Sequence, residues 1–101
     1  MRIKNLKVYP IKKALYEKDD EQNDILVGYE EIGTIQANIQ PARGQEKVQL
    51  YGVDITKHMT VFCYPNELIE EGLFIEVEGK EYRIKPIQKW RHWTFDIEAV
   101  L

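Results

Sequence analysis

A chain of 101 residues is long enough for one domain, because two cores of about 50 residues each would bury too little surface to be stable. With 44% hydrophobic and 31% charged residues, the composition is that of a globular protein and excludes an intrinsically disordered one. The net charge of −3, from 14 basic and 17 acidic residues, argues against a protein that binds nucleic acid by neutralising its phosphates. We therefore predict a single domain over residues 1–101.

The sequence offers no membrane segment, disulfide or metal motif. No run approaches the roughly 20 apolar residues of a membrane span, and the basic start lacks the apolar block of a secretory signal. Cys63 is the single cysteine, and together with His58 and His92 it shows no metal-ligand spacing. We expect synthesis in a cytoplasm, no membrane partner and no cofactor.

The first half of the chain predicts two strands and two long connections. The first strand covers residues 6–17, where Pro10 requires an edge or a bulge because it has no amide donor. The second covers residues 33–40 and alternates apolar with polar residues. Between them, residues 18–28 (KDDEQNDILVG) predict an acidic loop, and residues 41–52 (PARGQEKVQLYG) predict a second loop that contains a short helix over 43–51.

The second half predicts four more strands. Residues 53–64 favour a long, bent or bulged strand, and Asn66 can cap a single helical turn before the next one. Residues 73–85 predict a β-hairpin that turns at the sequence Glu78-Gly79-Lys80, and residues 93–99 predict the last strand. The expected core consists of Ile35, Ala37, Ile39, Val61, Ile75, Val77, Tyr82, Ile84, Phe95 and Ile97. About six strands with so little helix predict a mainly β fold, a small antiparallel β-barrel with long loops and at most one short helix.

Catalytic chemistry finds little support in the sequence. His58 and Cys63 are an odd number of positions apart in one predicted strand, so their side chains point to opposite faces and do not form a nucleophile pair. We expect Cys63 to be buried and His92 to be an exposed turn residue. Acidic pairs occupy adjacent positions, and the glycines show no phosphate-binding pattern. The sequence therefore predicts a protein that is not an enzyme.

Charged residues occur in blocks of one sign. The candidate assembly residues are the acidic Asp19, Asp20 and Glu21 and the basic and aromatic Lys85, Lys89, Trp90 and Arg91. Such blocks are commonly solvated faces, but they also suit neighbouring copies whose opposite charges complement each other. The second group also leaves open a small barrel that stacks single-stranded bases on aromatic rings. Trp93 and Phe95 are two positions apart in a strand, so both side chains point to the same, inward face. Trp93 therefore belongs in the core, which leaves Trp90 as the exposed tryptophan.

The segment YPNELIEEGLFIEVEGKEYRI, which begins at Tyr64, carries a specific order of framework residues. They are Pro65, Ile69, Gly72, Ile75, Gly79, Tyr82 and Ile84. This order resembles the bacteriophage head-tail joining proteins, also called head closure, stopper or head completion proteins. The resemblance extends upstream to EEIGTIQANIQPARGQE and downstream to HWTFDIEAVL, so that it covers residues 30–101 and, more loosely, the N-terminal strand. Residues 18–28 and the start KNLKVYPIKK depart from the family's pattern.

The resemblance implies a structural protein of the phage neck, made in the cytoplasm of the bacterial host. Copies would form a ring under the portal and adaptor, close the DNA-filled head and offer a docking surface to the tail or tail terminator. Packaged DNA would pass through the lumen without specific recognition, which a mildly acidic chain permits. The alternative function is a small β-barrel binding module for single-stranded nucleic acid or a protein partner.

The same resemblance assigns the segment 41–52 to the channel, since similar proteins plug it with a loop between barrel strands. The polar residues that would line the channel are Gln45, Glu46, Lys47 and Gln49. A polar segment of this length is typical of a part that changes conformation. The alternative is an ordinary surface crossover that contains a short helix.

Overall fold

A computed structural model of the chain describes residues 3–42 and 45–100, and the side chains at 45, 46, 53 and 54 lie outside this description. Within these residues six strands follow one another: β1 (Lys7–Lys18), β2 (Asp24–Pro41), β3 (His58–Cys63), β4 (Phe74–Val77), β5 (Lys80–Lys89) and β6 (Trp93–Ala99). Helix α1 (Gln45–Tyr51) and a 3₁₀ helix (Gly52–Lys57) connect β2 to β3. The predicted mainly β fold with one short α-helix is confirmed.

The strands close into an antiparallel barrel with the order β1-β2-β3-β6-β5-β4. The closing contact between β1 and β4 is short, because only Ile11 and Lys12 of β1 pair with Ile75 and Phe74 of β4. Closure removes most of the sheet edges that would otherwise be exposed. Strand β2 pairs with β1 over residues 24–37 and with β3 over residues 37–41, so the part of β2 nearest its start is paired only with β1.

The core fills the inside of this barrel. It consists of Ile11, Ile35, Ala37, Val61, Cys63, Ile69, Ile75, Val77, Ile84, Phe95 and Ile97. Of the predicted core, Ile39 and Tyr82 are only partly buried and pack against it. Ile69 was not predicted, because it lies between β3 and β4 where no strand alternation marks an inward side. Cys63 is 1% exposed, which confirms its predicted burial.

The acidic segment 18–28 is not the long loop that its composition predicts. The two strands continue as a paired hairpin until Lys18 meets Asp24, and the turn occupies only residues 19–23. Asp19 holds the turn, because its Oδ1 accepts the backbone amides of Glu21 and Asn23 at 2.9 and 2.8 Å. The prediction was wrong because both faces of this hairpin are exposed, so polar and apolar residues do not alternate.

The segment between β2 and β3 differs from its prediction in one part. Helix α1 confirms the short helix predicted over 43–51, although residues 43 and 44 lie outside the described chain. The strand predicted over 53–64 begins only at His58, because residues 52–57 form the 3₁₀ helix. Two apolar residues at alternate positions, Val53 and Ile55, are too few to distinguish a strand from a 3₁₀ turn.

The predicted hairpin of β4 and β5 is confirmed, with a tight turn at Glu78 and Gly79. Both residues have positive φ angles, 52° and 79°. A two-residue turn with two positive φ angles matches the right-handed twist of the flanking strands, and glycine adopts such an angle without strain.

Candidate functional site

The most enclosed carboxylate of the described side chains is Asp96, on the outer wall of the barrel. It lies between the core residues Phe95 and Ile97 and so points outward, yet it is only 7% exposed because helix α1 lies against it. Its carboxylate accepts hydrogen bonds from Lys47 Nζ at 2.5 Å, from the Tyr51 hydroxyl and from Thr60 Oγ1 at 2.9 Å. A carboxylate with so little access to water requires donors of this kind. We call this group of four residues the helix anchor.

The helix anchor holds a charged carboxylate and a neutral phenol. Burial acts to raise the pKa of Asp96, but the hydrogen bonds from Lys47, Tyr51 and Thr60 favour the charged form, and the pKa lies below its ordinary value. Burial and the hydrogen bond to Asp96 raise the pKa of Tyr51 far above its ordinary value. At neutral pH Tyr51 is therefore a donor and Asp96 an acceptor.

The ring of Tyr51 also joins helix α1 to two further strands. It stacks on His58 with ring centroids 3.6 Å apart and an interplanar angle of 9°. Lys85 Nζ lies 4.7 Å from the centroid of the same ring, a cation–π contact. His58 Nε2 in turn lies 3.0 Å from the carboxylate of Glu98. One tyrosine thus fixes the helix to β3, β5 and β6.

The helix anchor involves one of the four predicted channel residues. Lys47 is bound to Asp96, whereas Gln49 is exposed, and the side chains of Gln45 and Glu46 lie outside the described part of the chain. The outward side of α1 also exposes Val48 and Leu50. The segment is a helix fastened to the barrel wall, and its predicted position in a channel stays a prediction.

The second feature is a two-stranded arm, residues 13–30, that extends beyond the barrel. The pairing of β1 with β4 ends at Lys12, and the pairing of β2 with β3 begins only at Ala37. The molecule is accordingly elongated, 52 × 31 × 24 Å. The three acidic residues predicted for assembly, Asp19, Asp20 and Glu21, lie together at or next to the tip of this arm.

The arm carries an unusual number of exposed apolar side chains. They are Leu15, Tyr16, Ile25, Leu26 and Val27, and each is between 37% and 60% exposed. Two ion pairs connect the strands, Lys13 with Glu30 at 3.3 Å and Lys18 with Asp24 at 2.7 Å. All four partners are more than half exposed, so these pairs contribute little stability.

The base of the arm is fixed to the barrel. Lys12 Nζ contacts the carboxylates of Glu76 and Glu81 at 2.8 and 2.9 Å, and hydrogen bonds to both raise its pKa. Tyr29 packs edge-on against Phe74, with ring centroids 4.9 Å apart. Next to this contact is an open groove of about 350 Å³, lined by Leu26, Tyr29, Phe74, Arg83, Ala99 and Val100 among others.

The predicted basic residues are divided between two places. Lys89 ends β5, and Trp90 and Arg91 follow it in the turn before β6, where Trp90 is 78% exposed as predicted. Lys85 is not near this turn. It lies in the middle of β5, where its Nζ makes the cation–π contact with the ring of Tyr51. The turn therefore presents a tryptophan flanked by two cations.

Two further sequence expectations concern the histidines and the cysteine. His92 is half-buried rather than exposed, because its ring meets that of Tyr64 edge-on at 5.1 Å. His58 lies under Tyr51 on the outer wall, whereas Cys63 lies in the core, so the two do not meet. Burial raises the pKa of the Cys63 thiol to about 11, which makes it a poor nucleophile.

Over residues 3–42 and 45–100, no group of three His, Cys, Asp or Glu side chains could hold a metal ion. No helix in the same ranges has the length and apolar composition to cross a membrane.

Comparison with known proteins identifies a family and a fold. A family model described as phage head completion protein matches residues 1–100. The solution structure of protein SF1141 from Shigella flexneri 2a is similar, with a TM-score of 0.67 and 14% sequence identity, over 98% of this chain and 96% of that one. At this identity the likeness shows the fold alone. Comparison with curated proteins gives no significant match.

Proposed function

The chain belongs to the phage head completion protein family, and from that premise we propose that copies of it form a ring under the portal and adaptor of the phage neck. In this proposal the ring closes the DNA-filled head and offers the docking surface for the tail or tail terminator. Membership of the family already makes the chain a structural, non-enzymatic component of the virion that contacts other head or tail proteins. The proposal adds its place in the neck and the arrangement of its copies.

The observation that supports assembly best is the arm. An isolated two-stranded hairpin is marginally stable in water, and contiguous exposed apolar residues mark surfaces that bind protein. The arm exposes five large apolar side chains and projects away from the barrel core. A ring supplies neighbouring copies on both sides of every subunit, and such copies can cover the arm.

Charge is consistent with a cyclic arrangement. The acidic Asp20 and Glu21 at the arm tip and the basic Lys89 and Arg91 in the turn before β6 lie on different surfaces of one subunit, and each surface can meet an oppositely charged neck protein. A head-to-tail contact between different surfaces, repeated by rotation, closes into a ring. The net charge of −3 gives such a ring no strong general attraction for phosphates, so DNA can move through it.

The segment 41–52 is proposed to face the channel and to help retain DNA. The exposed Gln49, Val48 and Leu50 form the surface that would meet DNA or neighbouring copies. Displacement of the helix for ejection would require that the hydrogen bonds of Asp96 break. The helix anchor would then hold the segment in one defined position until that step.

A binding module for single-stranded nucleic acid is the second candidate. It is favoured by Trp90, which is 78% exposed beside Lys89 and Arg91. Titration with a single-stranded oligonucleotide distinguishes the two, because stacking on Trp90 changes its fluorescence and phosphate contacts make the affinity depend steeply on salt. Under the neck proposal we expect no such binding, and Trp90→Ala leaves the titration unchanged.

Heads assembled without the chain test the proposed function. Such heads should lose packaged DNA and fail to join tails, and addition of the purified full-length chain should restore both properties. Retention of DNA and normal joining of tails in its absence would contradict the proposal.

A further inference from the structure

The arm has two sheet edges that pair with no other strand of the described chain. Residues 13–18 of β1 pair only with β2, and residues 24–30 of β2 pair only with β1. An open edge presents unpaired amide and carbonyl groups on which another strand can pair. Proline, which blocks such an edge, is absent from residues 13–30.

The two edges carry opposite charges at their ends. The β1 edge has Lys13 and Lys18, and the β2 edge has Glu30 and Asp24. Within one arm these residues already lie opposite each other, Lys13 beside Glu30 and Lys18 beside Asp24. The sequence is thus compatible with a β1–β2 ladder between these two ends, with one bulge at Val27.

The same charges select how two copies can pair. Two β1 edges in antiparallel alignment place Lys13 opposite Lys18, and two β2 edges place Asp24 opposite Glu30. Like charges directly opposite each other destabilise a ladder. A β1 edge against a β2 edge places lysine opposite acid at both ends when it repeats the bulge at Val27 that the pairing within the arm already contains, so this pairing is favoured.

We propose that the arm binds a second copy of this chain, with the β1 edge of one copy paired antiparallel to the β2 edge of the next. This inference rests on the proposed ring and identifies a contact that holds it together. Copies that stand side by side in one orientation present these two edges to each other in antiparallel directions. Because the contact joins different edges, it repeats around a ring instead of stopping at a dimer.

The apolar residues of the arm fit this arrangement. Tyr16 and Leu26 are direct cross-strand neighbours within the arm and share one face of it. When the next copy repeats this register, its Leu26 lies beside Tyr16 of the first copy. An aromatic and an aliphatic side chain on neighbouring strands form a stabilising pair. The Tyr16 and Leu26 side chains of successive arms then form one continuous apolar row.

Mixed variants with one added cysteine each test the contact. Virions are assembled with equal amounts of full-length Lys13→Cys and Glu30→Cys chains and then oxidised. Both positions are more than half exposed, and the native Cys63 is buried and does not compete. We expect a disulfide-linked dimer of one chain of each variant, and little dimer from virions that contain one variant alone. The exposed pair Glu67→Cys and Lys80→Cys, on other parts of the surface, is the control and should not cross-link.

The outcomes separate this inference from the proposed function. A neck ring visible by electron microscopy without a mixed dimer would refute the pairing and leave the ring intact. Dimers formed only between identical variants would also refute it, because they indicate like edges in contact. Absence of any ring would refute both proposals. A repeat with Lys18→Cys and Asp24→Cys should give the same result, which guards against a local effect of the first pair of substitutions.

Discussion

Replacement of Asp96 by asparagine is the sharpest test of how the barrel holds the segment between β2 and β3. The substitution keeps the size of the side chain and removes its charge. Asp96 lies under helix α1 and accepts hydrogen bonds from Lys47, Tyr51 and Thr60. We expect a large loss of stability, because a buried cluster built around an anion loses that anion.

The size of the loss follows from the contacts. Hydrogen bonds to a charged group contribute roughly 1.5–3 kcal/mol each, and bonds that share one acceptor are not additive. The side chain of Lys47 is 31% exposed, so its ammonium can turn towards water, and asparagine still accepts from one hydroxyl. We therefore expect about 2 kcal/mol for Asp96→Asn. Asp96→Ala, which leaves the hydroxyls of Tyr51 and Thr60 without an acceptor, should cost about 3–4 kcal/mol.

Urea unfolding followed by tryptophan fluorescence measures these losses. For a domain of this size a loss of 2 kcal/mol also lowers the Tm by roughly 8–16 °C. The matched control is Glu30→Gln, an acid-to-amide change in an exposed ion pair, which should cost less than about 1 kcal/mol. If Asp96→Asn costs no more than Glu30→Gln, the helix anchor does not stabilise the fold.

Hydrogen exchange shows whether the loss is local. In Asp96→Asn the amides of residues 47–57 should exchange faster than those of β4 and β5, because the helix detaches before the barrel opens. A uniform increase across the whole chain would contradict the role of Asp96 as an anchor of the helix. Tyr51→Phe, alone and combined with Asp96→Asn, completes a double-mutant cycle, and we expect the two losses to be less than additive.

Four further predictions concern the core, a turn, acid stability and the proposed channel segment. Phe95→Ala should cost roughly 3–5 kcal/mol, since Phe95 is 3% exposed in the core, and an unchanged denaturant midpoint would show that the inner face of β6 is misassigned. Glu78→Asn should stabilise the protein by up to about 1 kcal/mol, because asparagine tolerates the φ of 52° better than glutamate does, and a lower Tm would contradict this. Folding lowers the pKa of Asp96, so the stabilising effect of this carboxylate is complete above the ordinary aspartate pKa of about 4 and is lost as the pH falls through the folded value. Wild type should therefore lose more stability on acidification than Asp96→Asn. Parallel curves of stability against pH would refute this. Replacement of residues 45–50 by a Gly-Ser linker should cause heads to leak DNA while tails still attach, and full DNA retention with normal infectivity would exclude a channel role.

The barrel could be predicted from sequence because one face of most strands is buried. Alternation places Ile35 and Ala37, or Phe95 and Ile97, on the same side of a strand, and the core removes that side from water. The arm could not be predicted by the same argument. Ile25, Leu26 and Val27 follow one another without alternation because both faces of the arm are exposed in a single chain.

The helix anchor could be predicted only in part. The alternation of inward and outward side chains along β6 places Asp96 on the outer face. Its burial, however, depends on Lys47 and Tyr51, which are 49 and 45 residues away in the sequence. No local pattern connects residues so distant. The usable signal was the aspartate itself, since this residue is depleted in strands and lies in the middle of the most regular one.

Reconstruction of the neck of virions by electron cryomicroscopy shows directly whether copies of this chain form the proposed ring. We expect a ring of copies between the portal and adaptor and the tail, with the arms of neighbouring copies in contact and α1 on the channel side. Copies found as separate monomers on the capsid surface, or a neck without this chain, would contradict this expectation.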